Sequence, residues 1–243
     1  MVDSLAWWVP NSAEIPDWFL AIVRQQGAIG QDARPNRGQN MAQLLWQRGI
    51  CEPNQIAGFL NPDHYQPSSP FTFGEEMQRA VNRLVSARQQ NERIVIWGDF
   101  DADGITATAV LQEGLGQFFS TDRLTSFLPN RLTDSHGLSI AGIDALADCR
   151  LIVTGSTGGT NATEIDYARG LGIDVIVLDP YTADRLGAIA LLNPRLLPTD
   201  HPLAHLAGVA LAYKLVEAMY ETLPEVPQRP LEDLLDLVAI GLM

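Results

Sequence analysis

Cysteine is scarce in this chain: Cys51 and Cys149 are the only two in 243 residues. They lie far apart, without the short spacing of a metal-binding pair, and leave no disulfide framework to read. Isolated reduced thiols in a cytoplasmic protein are the expectation. Long apolar runs are missing too. None approaches the roughly 20 residues that a membrane span needs. The opening "MVDSLAWWVPNSAEIPDW" has neither a basic n-region nor an apolar h-region, so no signal peptide is expected. Positive charge is in short supply: 16 Lys and Arg face 29 Asp and Glu, a net charge of −13. Proteins that hold nucleic acid through its phosphates carry basic patches. Here Arg79, Arg83, Arg88, Arg93, Arg123 and Arg131 are scattered along the chain, and single-stranded DNA is expected to bind weakly at best. No internal repeat and no low-complexity segment is visible.

What is present suits a soluble globular chain. At 46% hydrophobic and 19% charged residues it can bury the core of one domain or two small ones. The first ninety residues read as helical and irregular. "PDWFLAIVRQQ" has helical apolar spacing, and "GAIGQDARPNRGQN" reads as a flexible loop. "MAQLLWQRGI" and "EPNQIAGFLNP" read as short helices, the second stopped by Pro62. "GEEMQRAVNRLVSARQQNE" is amphipathic, with Met77, Ala80, Val81, Leu84 and Ala87 on one face. The tryptophans Trp7, Trp8 and Trp18 could stack on bases; packing of the N-terminal segment onto the core is the expected role.

From Arg93 the texture changes. "RIVIWGD", "LTSFLPN", "RLIVTG", "IDVIVLD" and a shorter "AIALLNP" read as strands. "GITATAVLQEGLGQFF", "LSIAGIDALADC", "NATEIDYARGLG" and "HLAGVALAYKLVEAMYETL" read as helices. "PLEDLLDLVAIGLM" opens another, with Pro230 in its first turn. Continuous apolar strands alternating with helices predict an α/β fold with a mostly parallel sheet flanked by helices. Residues 1–75 are expected to form a helical, irregular N-terminal extension, and 76–243 the α/β domain. Ligands of such sheets bind where the strands end. Three of these strands run into "GDFDADG", "TGSTGGTN" and "DPYTAD".

The first of these loops places Asp99, Asp101 and Asp103 at alternate positions after a strand. It is not an EF-hand, because no Glu stands at the required distance. An Asx-type cap of the next helix explains one Asp, Asp103 ahead of Gly104 and Ile105. Three carboxylates so close together suggest a cation, bound now or in an ancestor. Gly158 and Gly159 of the second loop precede a helix N-terminus that could hold an anion. There is no P-loop Lys, and the plain alternative is a strand-to-helix turn capped by Thr160 or Asn161.

"GDFDADG", "PNRLTDSHGLS" and "LDLVAIG", with "LLWQRGI…IAGFLNP" and "LAGVALAYKLVEAMYETLPEVP", resemble the RecJ-type single-strand-specific exonucleases, of cyanobacterial type, in the Asp-His-His (DHH) phosphoesterase superfamily. The likeness runs over essentially the whole chain. It implies a DHH phosphoesterase domain, two manganese or magnesium ions, and hydrolysis of single strands from the 5′ end by a metal-bridged water. The first metal motif is matched by Asp101 and Asp103. The second falls at "IVTGSTGGTN", where Ser156 stands in place of an Asp. The third keeps Asp179, but Pro180 and Tyr181 replace both histidines. The fourth lies beyond Met243, and the family's C-terminal substrate-binding domain has no counterpart in the chain. Asn130, Arg131 and His136 match a family loop near the scissile phosphate, and Gly158 sits in the possible phosphate loop.

Ser offers only a neutral hydroxyl, Pro no donor atom, and a phenol with a pKa near 10 replaces imidazole poorly. The metal site so implied is vestigial: Asp101, Asp103 and Asp179 with none or weakly bound Mn or Mg. Tyr181 has no evident base that would make it a nucleophile, and neither Cys shows a catalytic signal. Two function classes remain. One is an inactive or severely impaired RecJ-like homologue, a pseudoenzyme that acts by binding, with a protein partner. The other is an active metal-dependent 5′–3′ single-stranded DNA exonuclease, its ligands supplied differently or by a partner, or a fragment of such an enzyme.

Overall fold

The computed structural model describes residues 14–26, 37–134, 136–146, 148–181 and 187–243. The chain divides into two compact units, Met1–Pro67 and Ser68–Met243.

In the first unit, three helices, α1 (Asp17–Gln26), α2 (Arg37–Gln47) and α3 (Pro53–Leu60), bury Phe19, Val23, Ala42, Leu45 and Ile56 against one another. Phe19 meets Trp46 edge-on at 4.9 Å. A Glu52–Gln55 capping box and Pro53 in the first turn start α3. The loop expected over 27–40 is shorter than its composition suggests: α2 already begins at Arg37, its polar first turn continuous with the apolar residues that seat it, while 27–36 lie outside the described residues. Trp7 and Trp8 also lie outside them. Trp18 is 47% exposed and meets Phe19 edge-on.

The second unit is built on five parallel strands, β1 (Ile94–Trp97), β2 (Leu124–Phe127), β3 (Leu151–Thr154), β4 (Asp174–Leu178) and β5 (Ala190–Leu192), in the order β2-β1-β3-β4-β5. Side chains alternate across the sheet, so β1 feeds two cores. Ile94 and Ile96 join α4 (Glu75–Gln89), α5 (Ala102–Leu115), α8 (Gly208–Thr222) and α9 (Leu235–Gly241) on one face. Val95 and Trp97 join α6 (Ile140–Ala145) and α7 (Ala162–Gly170) on the other. The five residues expected on the buried face of α4 are all fully buried.

Pro230 does not open α9. It precedes a 3-10 turn, Leu231–Leu234, which leads into the helix, because its extended ψ of 144° cannot belong to a helical first turn. The strand order gives the sheet its functional geography. The winding of the chain reverses between β1 and β3, and the crevice beyond the carboxyl ends of those two strands is where sheets of this order take their ligands.

Candidate functional site

Asp101, with β-region backbone at φ −90° and ψ 175°, is the N-cap of α5, and its Oδ1 accepts from the Gly104 amide at 2.7 Å. This corrects the expectation that Asp103 caps the helix. Asp103 lies two residues further in, already helical, and its side chain points the other way.

There it meets donors from two distant segments. Oδ2 accepts from Ser156 Oγ at 2.7 Å and from the Gly208 amide at 2.8 Å; Oδ1 accepts from the Val209 amide at 2.8 Å. Ser156 is buried and holds a left-handed φ of 64°, which turns the chain after β3 so that its hydroxyl faces α5. Gly208 permits the approach. A Cβ there would stand 2.3 Å from both Ser156 Cβ and Oγ, and 2.8 Å from Asp103 Oδ2. Gly208 and Val209 were not predicted as site residues. The only trace in the sequence is a small residue opening the long helix after "LA".

Asp179 directly follows β4 and is 5% exposed. Its Oδ2 accepts from the Gly159 amide at 2.7 Å and its Oδ1 from the Tyr181 amide at 2.7 Å. The Gly159 amide of "TGSTGGTN" thus receives an anion that belongs to the chain itself. Gly158 takes φ 105° in the turn. Asn161 sits at the N-cap of α7 without capping it, since its side chain bonds the backbone of Leu138 and the Glu164 carboxylate instead; the expected Asn161 cap is not formed. Pro180 is buried, whereas Tyr181 is 59% exposed. Partial burial and the charges of Asp103, Asp101, Asp179 and Asp99 push the Tyr181 phenol above its ordinary pKa, so it stays protonated beside the carboxylates. A cleft of about 510 Å³ opens next to Tyr181, walled by Pro180, Pro194 and Leu206 with Arg195 and His205.

A further cluster lies across the ends of β1 and β2. His136 Nδ1 stands 3.2 Å from both oxygens of the buried Asp99, and its ring rests on Phe100 with centroids 4.2 Å apart. The Arg131 guanidinium lies 5.8 Å from the Phe100 centroid. Asn130 works locally, its Oδ1 taking the Leu132 amide. Phe100, between the two basic residues, was missed because its neighbours in sequence are carboxylates. Among the described residues, no group of three or more His, Cys, Asp or Glu side chains is placed to hold a metal ion.

Residues 93–242 match the family described as "DHH family, N-terminal domain". The chain belongs to the DHH family. It is similar to the single-stranded-DNA-specific exonuclease RecJ of Dickeya dadantii, 36% identical over 242 residues, which cover 94% of this chain and 38% of that protein. RecJ of Bacillus subtilis is 31% identical over 205 residues, 83% of this chain and 25% of the relative. A solved structure of RecJ from Thermus thermophilus in complex with Mn²⁺ aligns with a TM-score of 0.68 at 25% identity, over 93% of this chain and 30% of that one. The chain is therefore a RecJ-like DHH protein that spans 25% to 38% of the length of these two curated relatives.

Proposed function

We propose that this RecJ-like DHH domain works by binding a protein partner and does not hydrolyse phosphodiesters. The observation that carries the reading is the state of its two inward carboxylates. Asp103 already accepts three hydrogen bonds from the chain's own groups, and Asp179 accepts from the Gly159 and Tyr181 amides. A pair of ions roughly 3.5–4 Å apart needs several free carboxylates and imidazoles. Ser156, Pro180 and Tyr181 supply neither.

The residues present therefore do not fit a two-ion centre. A single Mn²⁺ or Mg²⁺ held weakly through Asp101 and several waters is the most this donor set supports. The acidic balance of −13 favours a protein partner over a polyanion.

A second reading rests on kinship. Exonuclease RecJ bound to manganese aligns with a TM-score of 0.60 at 30% identity. In that reading the chain is part of a metal-dependent 5′–3′ exonuclease, and Arg131 and His136 meet the phosphate of a single strand. Release of nucleotides from 5′-labelled single strands, followed with Mn²⁺ and with EDTA, separates the two. No metal-dependent release is expected, and calorimetry is expected to find no pair of micromolar Mn²⁺ sites. Steady Mn²⁺-dependent release would overturn the binding-only reading. Cross-linking in the native host with this chain as bait, read by mass spectrometry, then names the partner.

A further inference from the structure

We infer that Asp103 is the internal N-cap of helix α8, with Ser156 as its hydrogen-bond donor, and that this pair holds the switch point of the sheet together without a cation. The inference deepens the binding-only reading and rests on it for the claim that no ion competes for Asp103.

Helix α8 begins with a problem. Its N-cap is Ala207, which has no side-chain acceptor, and no side chain from the helix itself caps it. Yet ten of its fifteen residues are buried, so its first amides cannot all turn to water. Asp103 solves this from 105 positions away in the sequence. It takes the Gly208 and Val209 amides on different oxygens and places a negative charge at the positive end of the helix.

Counting acceptor sites shows why a metal is a poor competitor. A carboxylate offers about four lone-pair sites. Three of those on Asp103 are taken by donors at 2.7–2.8 Å. Two ions bridged by this carboxylate would need two sites where one is left, and would displace a helix amide or the Ser156 hydroxyl.

Ser156 completes the arrangement. A second carboxylate in its place would face Asp103 at hydrogen-bond distance and would need a cation between them. A hydroxyl instead brings its own proton. Ser156 and the Asp103 cap are thus two halves of one device. The hydrogen bond also ties the loop after β3 to the start of α5, across the crevice between β1 and β3.

The test uses the full 243-residue chain and the variants Asp103→Asn, Ser156→Ala and Ser156→Asp, melted in EDTA and in excess Mn²⁺. In Asp103→Asn the amide nitrogen faces a donor, and the melting midpoint is expected to fall by about 4–8 °C in EDTA. Ser156→Ala, which removes one donor and leaves the cap, should fall by about half as much. Ser156→Asp should melt below Ser156→Ala in EDTA, because two carboxylates then confront each other. Hydrogen exchange should quicken at the Gly208 and Val209 amides in Asp103→Asn, and Mn²⁺ should leave the unmodified midpoint in place. A metal ligand behaves oppositely. Asp103→Asn would then match or exceed the parent in EDTA, by relief of repulsion, and Mn²⁺ would raise the parent midpoint but not that of the variant. Either result would overturn the assignment. Loss of the binding-only reading shows instead as nucleotide release, so the two failures are told apart.

Discussion

Ser156 Oγ donates to Asp103 Oδ2 across 2.7 Å, joining residues 53 positions apart at the place where the winding of the sheet reverses. A ligand-binding crevice normally opens at such a point. Here the Asp103 carboxylate is taken by the protein's own backbone and by a hydroxyl. The same holds one strand over, where Asp179 takes the Gly159 and Tyr181 amides. The carboxyl edge of the sheet is a hydrogen-bonded belt.

The tightest point of that belt is Gly208. Replacing it with Ala adds a methyl within 2.3 Å of Ser156 Cβ and Oγ. Helix propensity gains up to about 1 kcal/mol, but the forced displacement costs about 1–3 kcal/mol and loosens the Asp103 cap as well. A net loss of about 1–2 kcal/mol is expected, read as a lower urea midpoint with unchanged slope. An unchanged midpoint would show that Ser156 can swing aside at no cost.

Trp97 links the opposite face of the sheet to the His136 loop. It is fully buried, its Nε1 donates to the Gly137 carbonyl at 3.1 Å, and its ring leaves no room for a side chain on Gly142. Trp97→Phe should cost about 2–4 kcal/mol through the lost volume and the unpaired carbonyl. It should also speed amide exchange around Gly137. A stability loss without faster exchange there would mean that the loop is held by Asn161 alone.

Alkaline pH offers a third check. Burial pushes the Cys149 thiol up to about 11 from its ordinary value of 9.0. A raised thiol pKa means that the unfolded chain sheds its proton first. Stability is therefore whole below pH 9 and declines as pH rises from there towards 11. The decline from this residue should be on the order of 2 kcal/mol. Cys149→Ala should flatten that limb of the urea-midpoint profile, although burial of Tyr213, whose phenol is pushed up to about 12, will leave some slope. In the folded chain a thiol reagent at about pH 8 should modify Cys51, which is partly exposed, and spare Cys149.

Nucleic acid should be a poor ligand. With a net charge of −13, the exposed Arg131 and His136 make at most a few phosphate contacts. Affinity for an oligonucleotide should be weak at about 50 mM salt and drop several-fold by about 200 mM. Fluorescence anisotropy across that range measures it. A nanomolar complex insensitive to salt would point to base stacking and contradict the expectation.

Much of this molecule was legible in the residues themselves. The alternation of apolar strands with helices, the buried stripe of α4 and the placement of every strand follow from periodicity, which is local physics: a repeat of about 2 or 3.6 shows in a window of roughly a dozen residues. The DHH family was equally legible, because its motifs are short and contiguous. Which Asp caps which helix was not. Asp101 and Asp103 are two residues apart and chemically identical, so local rules could not choose between them for α5. The choice was made by Gly208, Val209 and Ser156, groups 53 to 106 positions away that only the folded sheet brings to Asp103. Local spacing determined that a carboxylate cluster would sit at the end of β1; tertiary structure decided that two of this domain's carboxylates, Asp103 and Asp179, would bind the protein's own backbone, because buried amides must be paired and these were within reach.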